Sequence, residues 1–168
     1  MVCHQAKEVE APAEPDTGEI LDRTILDRTG TIRFHGGLIM AEVVGIGTEI
    51  TECLRIARLI ERHGEVFLRR VYTDEEIRFC NERRHATQHF TGRWVAKEAV
   101  LKALGVNWQR GIAWRDIEIR AGEGGQPVVA LRGAIRDVIE QRGIRDLRVS
   151  ISYCRSHAVA FAMAMTGQ

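Results

Sequence analysis

The sequence predicts an α+β domain, an antiparallel sheet packed with a long central helix. Three observations point there. Helical spacing and capping signals fill much of residues 48–104, a period of two takes over beyond residue 116, and no βαβ alternation connects them. Val43-Val44-Gly45-Ile46-Gly47 is a short apolar run ending in glycines, and it reads as a buried strand. Residues Thr48 to Thr51 are expected to cap a helix with Leu54, Ile56, Leu59 and Ile60 on one side, through about His63. Gly64 interrupts, and Val66-Phe67-Leu68 begins another turn or two. Thr73-Asp74-Glu75-Glu76 fits the T-x-x-E capping box and opens a helix through about Arg83. A longer helix runs from about His85 to Leu104, with Gly105 as its stop. Ile117 and Ile119 then alternate with Asp116, Glu118 and Arg120, residues 122–127 turn, and residues 128–131 return as the hairpin partner. Gly133 and Gly143 bound a short helix, and strands at 147–153 and 157–165 close the domain. Gly45-Ile46-Gly47 lacks the third glycine of a dinucleotide fingerprint.

At 168 residues the chain has room for one ordinary domain, and 45% hydrophobic with 28% charged residues is a globular balance. The formal net charge of +1 gives no whole-chain case for nucleic-acid binding. That total hides an asymmetry: residues 1–40 carry a net −3 and the remaining 128 carry +4. Residues 1–40 contain two of the three prolines and no sustained period, so they read as a flexible N-terminal extension, with the folded domain at 41–168. A short echo, Leu21-Asp22-Arg23-Thr24 and Leu26-Asp27-Arg28-Thr29, reads as a brief polar helix or as no element. No signal-peptide core and no run of ~20 apolar residues is present, so neither export nor membrane insertion is expected. Cys3, Cys53, Cys80 and Cys154 show no metal-ligand spacing, and free thiols in a cytoplasmic setting are the expectation.

Two segments carry chemistry. One is Gly45-Ile46-Gly47-Thr48-Glu49-Ile50, a carboxylate just past a strand. The other is Arg93-Trp94-Val95-Ala96-Lys97-Glu98-Ala99-Val100-Leu101-Lys102-Ala103-Leu104-Gly105, in which Trp94, Glu98 and Lys102 share one helix face. Spacing alone makes Glu98 with Lys102 a solvated i,i+4 pair worth ~0.3–0.5 kcal/mol. His85 and His89 are four apart but have no third ligand, and Trp108 and Trp114 read as packing residues.

In this order, the segments resemble the bacterial holo-[acyl-carrier-protein] synthases, the small phosphopantetheinyl transferases. The family pattern is G-x-D, an Arg soon after, R-F-A-A-K-E-A-x-x-K-A, and a late S-x-S-H. It reads here as Gly47-Thr48-Glu49, Arg55, the Arg93–Ala103 block, and Ser150-Ile151-Ser152-Tyr153. Phe67 to Thr73 with Glu76, and Ile117-Glu118-Ile119 followed by Gly125-Gln126-Pro127, extend the likeness over about residues 42–165. The resemblance implies a 4′-phosphopantetheinyl transferase fold and transfer of 4′-phosphopantetheine from coenzyme A to a serine of an apo acyl carrier protein, with release of adenosine 3′,5′-bisphosphate. It implies Glu49 and Glu98 as magnesium ligands, with Lys102 beside them on a phosphate. Arg93, Lys97, Lys102, Gly105 and Ser152 become coenzyme A contacts, and Arg55, Arg62 and Arg70 a docking surface for the acidic carrier. It also implies a homotrimer with sites at subunit interfaces, working in fatty acid biosynthesis. Three departures stand out: Glu49 where the family has Asp, Val106-Asn107 where it has Thr-Gly, and Tyr153 where it has His. They support a rival reading, a degenerate homologue that binds coenzyme A or a carrier without catalysis.

Overall fold

The computed structural model describes residues 24–26, 32–34, 42–108 and 111–167. The chain divides into two units, Met1–Ile39 and Met40–Gln168. In the first, β1 (Thr24–Leu26) pairs antiparallel with β2 (Ile32–Phe34), Thr24 opposite Phe34. Part of the echo expected as a polar helix or no element is therefore a strand, its Ile25 and Leu26 paired with Arg33 and Ile32. The rest of the proposed extension lies outside the described residues.

The second unit is α+β. Its strands β3 (Val43–Glu52), β4 (Ile117–Ala121), β5 (Pro127–Leu131), β6 (Ile144–Tyr153) and β7 (His157–Thr166) form an antiparallel sheet in the order β3-β7-β6-β5-β4. Four helices accompany it: α1 (Cys53–Val71), α2 (Asp74–Asn81), α3 (Ala86–Ala103) and α4 (Ala134–Gln141). The capping box forms as expected: Thr73 N–H donates to Glu76 Oε2 at 2.8 Å, and Glu76 N–H donates to Thr73 Oγ1 at 3.3 Å. Gly64 breaks the helical geometry of α1 with φ 53° and ψ −135°.

The strand expected at 43–47 runs to Glu52, and Thr48–Thr51 do not cap a helix. Pairing overrides the local capping signal. Glu49 lies opposite Ala160 and Thr51 opposite Ala158, and Glu52 rather than a threonine precedes α1. Glu49 is therefore a mid-strand residue.

Small residues let α3 lie close on this sheet. Ala158, Ala160, Ala162 and Ala164 of β7 are buried against Val95, Ala96, Ala99 and Ala103 of α3. Gly45 and Gly47 bring β3 closer still. A methyl group on Gly45 would lie 1.9 Å from the Ala103 carbonyl oxygen, and one on Gly47 would lie 2.1 Å from that of Ala99. On its other flank α3 meets a second core built from Ile56, Val71, Tyr72, Cys80 and Phe90. The sheet face away from α3 keeps Ile46, Ile50, Val159 and Phe161 exposed.

Candidate active site

The seam between β3 and α3 positions the acidic residues. Gly45 lies against Ala103 and Gly47 against Ala99, so each two-residue step along β3 moves about one turn back along α3. The next inward-facing residue is Glu49, at the turn of α3 that carries Glu98. Lys102 bridges the seam: its Nζ donates to Glu49 Oε2 at 2.7 Å and to the Thr48 carbonyl oxygen at 2.8 Å. Thr51 Oγ1 donates to the other Glu49 oxygen at 3.3 Å. Glu98 does not pair with Lys102. Its Oε1 accepts from the Trp108 indole Nε1 at 3.0 Å. Glu49 and Lys102 are thus brought together across the seam, while Glu98 pairs with Trp108 and not with Lys102 as the spacing suggested.

Lys97 goes elsewhere. Its side chain is wholly buried, and the ammonium donates to Glu76 Oε2 and the Val71 carbonyl oxygen at 2.7 Å each, and to the Trp114 carbonyl oxygen at 3.1 Å. All three donors are used inside the protein, so in this chain Lys97 presents no ammonium to a ligand.

Arg93 lines two adjoining cavities of about 390 and 260 Å³, shared with Phe79, Ile119, Arg120 and Ala121. The smaller also takes in Arg83, His89, Gly125, Pro127 and Tyr153. The guanidinium carbons of Arg83 and Arg93 lie 3.3 and 3.7 Å from the Phe79 ring centre, cation–π distances. Arg93 is buried, and its Nε has no hydrogen-bond partner among the described residues. Burial, then the charges of Arg93 and Arg83, hold the His89 pKa below its usual value, so its ring is neutral at pH 7. The smaller cavity is basic through Arg83, Arg93 and Arg120, whereas Glu75 and Glu118 offset the arginines of the larger. At about 100° per residue, Arg93 and Glu98 project roughly 140° apart around α3, so the acidic seam and the basic cavity occupy different faces of one helix.

The remaining expected site residues are dispersed. Gly105 ends α3 with φ 59°, and its amide bonds the Lys102 carbonyl oxygen at 3.0 Å. Ser152 is exposed opposite Val159 on the outer sheet face, away from α3. Arg55, Arg62 and Arg70 are exposed along α1 and make no ion pair with another described residue. Two roles were missed from sequence. Trp108 read as packing, because the loop after Gly105 has no period to show it folding back onto Glu98. Glu76 read as a capping residue and as part of a family segment, yet it also pairs with buried Lys97 and accepts from Ile119 N–H at 3.0 Å.

Among the described residues no helix is long and apolar enough to cross a membrane, and no cluster of three or more His, Cys, Asp or Glu is placed around a metal. The family described as the 4′-phosphopantetheinyl transferase superfamily matches residues 45–162. The chain is 44% identical to the holo-[acyl-carrier-protein] synthase of Rhodopirellula baltica over 121 residues, 72% of this chain and 96% of that protein. Its fold is similar to the crystal structure of the Neisseria meningitidis holo-[acyl-carrier-protein] synthase, with a TM-score of 0.68 and 30% identity over 73% of this chain and 98% of that one. The Helicobacter pylori synthase in complex with coenzyme A matches with a TM-score of 0.63 and 27% identity, covering 71% and 98% of the respective chains. With the family match spanning residues 45–162 and the motifs in order, the chain belongs to the 4′-phosphopantetheinyl transferase superfamily.

Proposed function

We propose that this chain transfers 4′-phosphopantetheine from coenzyme A to a serine of an apo acyl carrier protein, releasing adenosine 3′,5′-bisphosphate. The observation that carries the reading is the Glu49–Lys102 pair across the β3–α3 seam, with Glu98 one turn before Lys102 on α3. The donor set fits magnesium. Both carboxylates are hard oxygen ligands, Glu98 Oε2 has no partner among the described residues, and magnesium takes one or two carboxylates plus water and substrate phosphate. Held there, the ion supplies neutralisation of the pyrophosphate oxygens. Lys102 sits where its ammonium can leave Glu49 for a phosphate oxygen. Arg93 offers an unpartnered donor inside a basic cavity suited to the nucleotide phosphates. The new bond joins the serine Oγ to the pantetheine-side phosphorus. The bond from that phosphorus to the bridging oxygen breaks, the oxygen leaves on adenosine 3′,5′-bisphosphate, and the serine proton is released to water.

Arg55, Arg62 and Arg70 form the docking surface for an acidic carrier. We further propose a homotrimer. Ile46, Ile50, Val159 and Phe161 leave an apolar sheet face for a second copy to cover. One chain also turns its acidic seam and basic cavity in different directions, so a neighbouring copy would complete each site. The activity is assigned to residues 41–168 and placed in the cytoplasm, serving fatty acid biosynthesis. Free thiols at Cys53, Cys80 and Cys154 suit a reducing compartment.

The test is intact-mass spectrometry of an apo carrier incubated with the protein, coenzyme A and magnesium. One phosphopantetheine should be added, and the addition should vanish with chelation and with Glu98→Gln. No addition by the wild type to several apo carriers would sink the transferase reading and favour the binding-only homologue.

A further inference from the structure

We infer that Trp108 is a positioning residue for Glu98, its indole N–H holding the carboxylate in place and away from Lys102. The inference rests on the transferase reading only for what Glu98 does, not for the contact itself. Glu98 and Lys102 are four residues apart on a helix, the spacing at which opposite charges ordinarily pair. They are not paired here. The Trp108 indole N–H takes Glu98 Oε1 at 3.0 Å, while Lys102 is held across the seam by Glu49 and the Thr48 carbonyl oxygen. One Glu98 oxygen is thus committed to a neutral donor, and Oε2 has no partner among the described residues.

The ring is itself held firmly. Trp108 stacks on Trp114 with centroids 3.8 Å apart and planes at 25°, and Trp114 stacks on Trp94 at 4.3 Å and 29°. Trp94 in turn lies over Phe67, 6.0 Å away at 28°. The middle of the stack is tied to the core, because the Trp114 carbonyl oxygen accepts from buried Lys97. Stacked aromatic pairs add stability beyond the area they bury, so the indole cannot turn without disturbing its neighbours. Removing the N–H leaves Glu98 able to swing to Lys102. That single movement displaces the carboxylate and draws Lys102 from Glu49.

Trp108→Phe tests this, since it keeps an aromatic ring in the stack and deletes only the donor. Losing the hydrogen bond that orients such a carboxylate typically costs 10–100-fold in activity or metal affinity. The variant should lose about 10- to 100-fold in kcat, with the KM for coenzyme A and the thermal midpoint near wild type. A purely packing role would instead lower the thermal midpoint and spare kcat. An independent readout is the indole region of a ¹⁵N–¹H NMR spectrum, where the three tryptophans give three resonances. Trp108→Phe identifies the Trp108 peak by its disappearance. In Glu98→Gln that peak should move upfield more than the other two, because a charged acceptor holds the proton more strongly than an amide. Wild-type kcat in Trp108→Phe, or a Trp108 peak unmoved in Glu98→Gln, would overturn the inference. A wild type that modifies no carrier defeats the transferase reading separately, and the indole peak still decides whether Trp108 holds Glu98.

Discussion

Lys97 Nζ and Glu76 Oε2 lie 2.7 Å apart with both side chains out of reach of water. This pair ties α2 to α3. Glu76 also holds the β4 backbone through Ile119 N–H, and Lys97 holds the carbonyls of Val71, at the end of α1, and Trp114, before β4. Burial holds the Lys97 pKa below its usual value, outweighing the Glu76 carboxylate beside it, which pushes it up.

Lys97→Met should therefore cost about 3–5 kcal/mol of unfolding free energy, because it strands a buried carboxylate. Urea denaturation followed by far-UV circular dichroism measures it. A loss below about 1 kcal/mol would show that water or another group replaces the ammonium.

Gly47→Ala should destabilise by about 1–3 kcal/mol and reduce transfer, since its methyl would meet the Ala99 carbonyl oxygen and push β3, with Glu49, off α3. Thermal unfolding and the carrier assay check both parts. A fully active Gly47→Ala would mean that the glycine is not needed for the approach of the two elements.

Reversing the α1 arginines should act on the carrier alone. Arg62→Glu with Arg70→Glu is expected to raise the carrier KM at least tenfold and flatten its dependence on salt, with the KM for coenzyme A unchanged. An unaltered carrier KM places the docking surface elsewhere.

A charge on the outer sheet face should break the proposed homotrimer. Phe161→Asp is expected to run as a monomer in light scattering and to lose transfer, because the seam and the cavity then belong to no common site. Full activity in a monomeric variant would refute the division of the site between chains.

The Cys154 thiol is exposed, and its hydrogen bond with Ser156, with neighbouring backbone donors, lowers its pKa to about 7. A lowered pKa means thiolate at neutral pH, so alkylation should rise through a midpoint near pH 7 and level off above it. Burial pushes the Cys80 thiol up to about 12, and Cys80 should stay unlabelled in the folded protein. Peptide mapping after iodoacetamide at several pH values reads both sites. A Cys154 midpoint near 9 would show that Ser156 does not stabilise the thiolate.

The helices were legible because their signals are local: the Thr73–Glu76 box and the Gly105 stop need no partner to be read. The strand signals were legible only in part. Residues 48–51 look like a helix cap in isolation, and only the pairing of Glu49 with Ala160 and Thr51 with Ala158 makes them strand. The inward and outward faces of α3 were harder. That helix packs on the sheet along one side and on α1 and α2 along another, so it has no simple polar stripe to separate inward Lys97 from outward Lys102. The Glu49–Lys102 contact joins residues 53 apart in sequence, beyond any spacing rule.

The aromatic stack has a practical consequence. The chain has only three tryptophans, and all three lie in the stack that ends on Glu98. Its ultraviolet emission should therefore come chiefly from one place, and contacts this close should couple the indole transitions into a paired-sign band in circular dichroism. Any ligand that disturbs Glu98 should be visible by light alone, before a single turnover is counted.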